Sequence, residues 1–178
     1  SLSIDSGGEY SATDGTTTLT STSAVGGQHS FRNEGTFTHN DGKVSMTQTS
    51  DNNCQIKLGG SSFYDLDIET YPKSNRCIDT FLVDNDLTMI NGYFTQNNKT
   101  VVVSGTCQIQ GDAQFYGNAV AGGPTATFGA LDILENGTYS ATSGTTTIGG
   151  TNDTPLSRTD PGVFTHNNGT VEFGDGTG

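Results

Sequence analysis

The chain has 178 residues, no Trp and a formal charge of −12, from 7 Lys and Arg against 19 Asp and Glu. Thr, Gly, Ser and Asn make up nearly half of it, and all four are poor helix formers, which excludes a helical bundle. Nine Phe, six Tyr and regular Val, Ile and Leu still have to be buried, which excludes a disordered acidic tail and leaves an all-β protein with short strands, many turns and a thin core.

Strand signals begin at once. Leu2 and Ile4 alternate with polar residues, and GEYSATDGTTTL follows from Gly8. A similar string, GTFTHNDGKVSM, starts at Gly35. CQIKLGGSSFYDLDIETY starts at Cys54, where Tyr64, Leu66 and Ile68 alternate with Asp65, Asp67 and Glu69. A related string, CIDTFLVDNDLTMINGY, starts at Cys77, one short period further on. GYFTQNNKTVVV follows from Gly92 and ends in the β-branched run Val101–Val103. LDILENGTYSATSGTTTIGG occupies 131–150, and GVFTHNNGTVEF starts at Gly162. Asn-Asp-Gly, Asn-Asn-Gly and Thr-Ser-Gly between these runs are turn chemistry, because Asn and Gly tolerate positive φ.

The strings are repeats. Residues 2–21 and 131–150 are identical at more than half of their positions, without a gap, at an offset of 129. FTHNDGKVSM (37–46) returns as FTHNNGTVEF (164–173) at an offset of 127. Residues 1–130 therefore read as one complete long repeat, and 131–178 as the first part of a second copy continuous with it. A smaller unit, Gly-x-aromatic-Thr/Ser with a polar turn and a Thr/Val strand, begins at Gly8, Gly35, Gly92, Gly137 and Gly162. Its spacings fit coils of about 20–30 residues, a period at which a unit must stack on its neighbours to bury its apolar face. Nowhere do apolar residues keep helical spacing over a dozen positions. The expectation is a β-solenoid, a parallel β-helix, with Tyr10, Phe37, Phe94, Tyr139 and Phe164 stacked in its core and glycines such as Gly8, Gly35, Gly137 and Gly162 at its turns. One long repeat would then span roughly six coils, on the order of 29 Å along the axis. The alternative is an antiparallel β-sandwich in which each small unit closes as a hairpin on its Asn-Gly turn.

TYSATSGTTTI (138–148) and GVFTHNNGTVEF (162–173), with SSFYDLDI (61–68) between earlier copies, resemble Thr/Asn/Gly-rich repeats of very long proteins on bacterial cell surfaces and marine bacteriophage virions. That resemblance implies β-helical fibre or adhesin material, an extracellular or virion-surface location, and no catalytic signature. Residues 54–107, which hold the cysteines, are the part least like it. The chain opens on Ser1 rather than Met, as a processed product or a segment of something longer would.

Candidate chemistry is sparse. Cys54 and Cys77 open similar coils and read as a disulfide staple between stacked strands; a Cys77–Cys107 bridge and buried free thiols are the alternatives. No C-x-x-C is present, which argues against zinc. His39 and His166 share one position of the FTHN copies, where Gln96 stands in a third, so they read as turn-flanking polar residues. Asp65, Asp67, Asp84 and Asp86 form a solvated face, or a weak Ca²⁺ site if stacking brings them together. The same Asp84 and Asp86 are the carboxylates a polysaccharide-degrading enzyme on this scaffold would use, with Lys57, Lys73 or Arg76 as its basic group. Tyr64, Tyr71 and Tyr93 are candidate stacking residues for a surface glycan. The Thr triplets 16–18 and 145–147 suit a half-exposed sheet, and also an ordered-water face of the ice-binding kind. The acidity excludes nucleic acid as a partner, since phosphate binding needs Lys and Arg, and with no apolar run of about 20 residues it argues against membrane insertion. The partners expected are copies of the chain itself or adjacent repeats. The reading is a non-enzymatic structural module without cofactor, stacking end to end into a rod.

Overall fold

In the computed structural model, which describes residues 1–21, 29–48, 53–117, 123–149 and 154–174, the chain is a three-sided parallel β-solenoid. The first coil is β1 (Leu2–Ile4), β2 (Glu9–Ser11) and β3 (Thr16–Ser21). The second is β4 (His29–Asn33), β5 (Thr36–Thr38) and β6 (Lys43–Gln48). The third runs through β7 (Cys54–Lys57), a single bridging residue, Phe63, and the start of β8 (Asp65–Cys77). The fourth takes the end of β8, then β9 (Phe81–Val83) and the start of β10 (Leu87–Thr95). The fifth takes the end of β10 and both halves of β11 (Val101–Ile109). The sixth is β12 (Gln114–Tyr116) and both halves of β13 (Ala126–Ile133). The seventh is β14 (Thr138–Ser140), β15 (Thr145–Gly149) and β16 (Leu156–Arg158). β17 (Val163–Thr165) and β18 (Thr170–Gly174) open an eighth.

Every strand pairing among the described residues is parallel, each strand bonding to the equivalent strand one coil away. The first sheet stacks β1, β4, β7, the end of β8, the end of β10, β12, β14 and β17. The second stacks β2 on β5, then Phe63, β9, the starts of β11 and β13, β15 and β18. Phe37 of β5 meets Phe63 with ring centroids 5.8 Å apart, which joins the two parts of that sheet. The third stacks β3, β6, the starts of β8 and β10, the ends of β11 and β13, and β16. The sequence copy boundary, Ala130–Leu131, lies within β13 where it turns from the second sheet to the third. The second copy therefore continues the same solenoid without interruption.

Alternation builds the core. Successive side chains of a strand point to opposite faces, and here the inward set is Ile4, Phe31, Val44, Met46, Ile56, Leu66, Ile68, Leu87, Met89, Leu131 and Ile133, all nearly or wholly buried. The outward set is Thr, Ser, Gln and charged residues. The core is narrow, so aromatic rings span it. They form one continuous ladder: Tyr10–Phe37 at 6.1 Å, Phe63–Phe81 at 6.4 Å, Phe81–Phe94 at 4.8 Å, Phe94–Phe115 at 5.0 Å, Phe115–Tyr139 at 5.3 Å and Tyr139–Phe164 at 5.5 Å. The five aromatics expected to stack belong to this ladder, on two sheets rather than one. Tyr10 and Phe37 stand on the second, and Phe94, Tyr139 and Phe164 on the first.

Corners explain the composition. Asn40 and Asp41, Asn97 and Asn98, and Asn167 and Asn168 are consecutive residues with φ between 49° and 59°. Such a left-handed pair, which most L residues resist, turns the chain through a corner of the solenoid. In the antiparallel alternative the same pair would close a hairpin. The first Asn of each pair then donates to the previous coil: Asn40 Nδ2 to Ala12 O at 2.7 Å, Asn97 Nδ2 to Cys77 O at 3.0 Å, and Asn167 Nδ2 to Ala141 O at 2.8 Å. Gly42 follows because a Cβ there would lie 2.1 Å from Thr13 O of the coil before.

Candidate functional site

The four aspartates of the sequence reading sit at one corner and the sheet edge beside it, and they do not converge. Asp65 Oδ1 accepts from Asn85 Nδ2 at 2.8 Å and from the backbone N–H of Asp86 at 3.2 Å. Asp86 Oδ1 in turn accepts from the backbone N–H of Thr106 at 2.7 Å. Each carboxylate thus caps an N–H of the following coil where the ladder turns the corner. Asp67 pairs with Lys43 at 3.1 Å on the second coil. Asp84 Oδ2 accepts from Ser62 Oγ at 2.6 Å and lies 3.2 Å from His39 Nε2. Among the described residues no group of three or more His, Cys, Asp or Glu is placed to hold a metal ion. Stacking gives these carboxylates separate partners and does not gather them as the Ca²⁺ expectation requires.

The histidines hold turns. His39 Nδ1 accepts from the backbone N–H of Asp41 at 2.9 Å, and His166 Nδ1 accepts from that of Asn168 at 3.0 Å. An accepting Nδ1 places the proton on Nε2 in the neutral ring. Gln96, at the third equivalent position, is buried and donates Nε2 to Thr125 O at 2.7 Å. His29 lies on β4, where burial first and the nearby Arg32 and Lys57 next push its pKa below the ordinary value.

The outward tyrosines lie at different places. Tyr64 stacks on His39, ring centroids 5.6 Å apart. Tyr93 stacks on Tyr116 at 6.1 Å and 28° on the first sheet, and Tyr116 is among the exposed large residues. The sequence reading missed Tyr116, because its neighbour in space is a whole coil away along the chain and in no shared motif. The side chains of Tyr71 and Lys73 lie outside the described residues.

The cysteines correct the staple expectation. All three are buried, and none is in a disulfide. Cys54 pairs in register with Asn75, and Cys77 with Ile56. A two-residue slip along a strand added to one strand spacing puts the Cα atoms roughly 8 Å apart, beyond the reach of a disulfide. Burial pushes the Cys77 thiol up to about 12, and Cys107 higher still, so both act as small apolar groups with little thiolate.

The strongest feature is the edge formed by β17 and β18. Val163 is 46 % and Phe173 60 % exposed. The residue of the first copy equivalent to Phe173 is Met46, 1 % exposed beneath Ile68 of the next coil. Comparison with protein-family models, curated proteins and solved structures finds no match.

Proposed function

We propose that the chain is a non-enzymatic structural repeat module of an extracellular or virion-surface fibre, filament or adhesin, stacking coil on coil into a rod. The carrying observation is the open edge of the second copy. In the first copy Val44 and Met46 of β6 are covered by Leu66 and Ile68. Among the described residues their counterparts Val171 and Phe173 have no strand beyond them, and present the same parallel edge with an apolar residue at its lip. Such an edge is a template for another strand, and the sequence already contains the coil that covers it, 54–69. A further copy of the repeat, in the same chain or another, fits there, and head-to-tail addition of this kind does not close. The work done is mechanical: inter-coil hydrogen bonds and the aromatic ladder resist bending. The test is electron microscopy with diffraction from the assembled material. Rods with an axial spacing of about 4.8 Å are expected. Discrete globular particles at every concentration would overturn assembly of separate chains, and separate beads from tandem copies in one chain would overturn the rod itself.

A second reading, a glycan-binding attachment module, has one observation in its favour: the Tyr93–Tyr116 pair on the first sheet. Binding on a glycan array that Tyr116→Ala abolishes would support it.

A further inference from the structure

We infer that successive copies of the long repeat are turned about the solenoid axis by a third of a turn, so that a tandem array presents each outward group on all three faces in succession. The inference rests on the rod reading above.

Counted in strand positions among the described residues, with Phe63 as one position and each half of β8, β10, β11 and β13 as another, the end of β13 comes seventeen positions after β1. By the same count β17 comes seventeen after β5. Three positions make a coil, and seventeen is not a multiple of three. Residues 2–4 stand on the first sheet, paired with β4, whereas their copies 131–133 stand on the third, paired with β11 and β16. Tyr10 stands on the second sheet and its copy Tyr139 on the first. Thr16–Thr18 stand on the third sheet and Thr145–Thr147 on the second.

The copies nonetheless keep the same local structure. Thr36 N donates to Gly8 O at 2.9 Å, and Val163 N to Gly137 O at 2.8 Å. Ala12 N donates to Thr38 O at 2.8 Å, and Ala141 N to Thr165 O at 2.8 Å. Lys43 N donates to Gly15 O at 2.8 Å, and Thr170 N to Gly144 O at 2.9 Å. Asn40 Nδ2 reaches Ser11 Oγ at 2.7 Å, and Asn167 Nδ2 reaches Ser140 Oγ at 2.7 Å. Ile4 and Ile133 both point inward. The three sheets are therefore interchangeable hosts for one sequence, which keeps these bonds on whichever side it falls.

Two consequences follow for an array. Its identical-face period is three repeats, or seventeen coils, about 82 Å at one strand spacing per coil. Its Thr triplets pass from face to face, so they build no flat single-chemistry surface of the kind ordered water requires. A partner that recognises one outward motif meets it from every side of the rod.

The test inserts several whole copies of residues 2–130 between Ala130 and Leu131 of the full chain. Each new junction reproduces a native one, because Leu2 and Leu131 are equivalent. Cryo-electron microscopy of the lengthened chain is expected to show each copy rising about 27 Å and turned by a third of a turn, beyond any continuous sheet twist. Copies rising by six whole coils, about 29 Å, with no such turn would overturn the inference and leave the rod intact. Separate beads instead of one rod would overturn the rod reading itself. A variant at native length provides a check that does not depend on the insertion folding. Gln108→Cys with Asp132→Cys is expected to form a disulfide, since these residues pair in register. Gln114→Cys with Asp132→Cys is expected to stay reduced, and the reverse pattern would overturn the inference.

Discussion

Glu34 shows how single side chains tie one coil to the next. Its carboxylate lies 2.8 Å from Lys57 Nζ on the third coil and 2.5 Å from Arg32 Nη2 on its own, while Arg32 Nη1 reaches back 3.0 Å to Asp5 on the first. The bond to Lys57, and next that to Arg32, hold the Glu34 carboxyl below its ordinary value of 4.5. A carboxyl with a depressed folded value stabilises the fold fully above the unfolded value, and loses that contribution as pH falls through the folded one. The wild-type chain should therefore lose melting temperature more steeply than Glu34→Gln as pH drops below about 4.5. The difference should be small, because exposed ion pairs are weak in water. Parallel melting-temperature profiles for the two proteins would show that the cluster contributes nothing.

The strand elements contribute in proportion to their depth in the stack. Phe94, at the end of β10, is fully buried between Phe81 and Phe115, each about 5 Å away. Phe94→Ala should cost about 3–5 kcal/mol by urea denaturation, from lost transfer energy and the cavity left behind. Tyr10→Ala should cost far less, because Tyr10 lies in the first coil, half-buried, with Phe37 the one ring it meets among the described residues. Equal losses for the two would contradict a continuous ladder whose interior rungs matter most. These aromatics were legible in the sequence through the Gly-x-aromatic repeat, and the strands through alternation, since both patterns are local. Register was not. Cys54 and Cys77 open similar strings and so suggest vertical neighbours, but the residue one coil on from Cys54 is Asn75, two positions short of Cys77. Nor do local patterns reveal that β8, β10, β11 and β13 each bend across two sheets. Of their bends only that of β10, at Asn91-Gly92, carries an Asn-Gly pair, and β8 runs through Pro72 without ending. The turn per repeat depends on counting those bends, which is why the sequence alone suggests six whole coils.

At the scale of the whole molecule, two forces of opposite sign decide whether one chain adds to another. The edge of β17 and β18 exposes Phe173 and Val163, and burying apolar surface there favours addition. Against it stands a formal charge of −12 on every chain, spread over a narrow solenoid. Repulsion between such surfaces is long-ranged at low salt, where the screening length is about 30 Å at 0.01 M, and nearly gone at about 1 M, where it is about 3 Å. The apolar term does not fade with salt in this way. End-to-end association should therefore be weak at low ionic strength and grow with both protein concentration and salt, which sedimentation velocity reads as a rising mass average. Phe173→Asp should abolish that rise, by removing the apolar lip and adding another negative charge at the contact. It should barely change the unfolding midpoint of the single chain, because Phe173 is 60 % exposed there and supports little of the fold. A mass that stays constant across salt and concentration would show that the edge does not recruit free copies, and would confine stacking to repeats joined in one chain. A rise that survives Phe173→Asp would place the association on another surface.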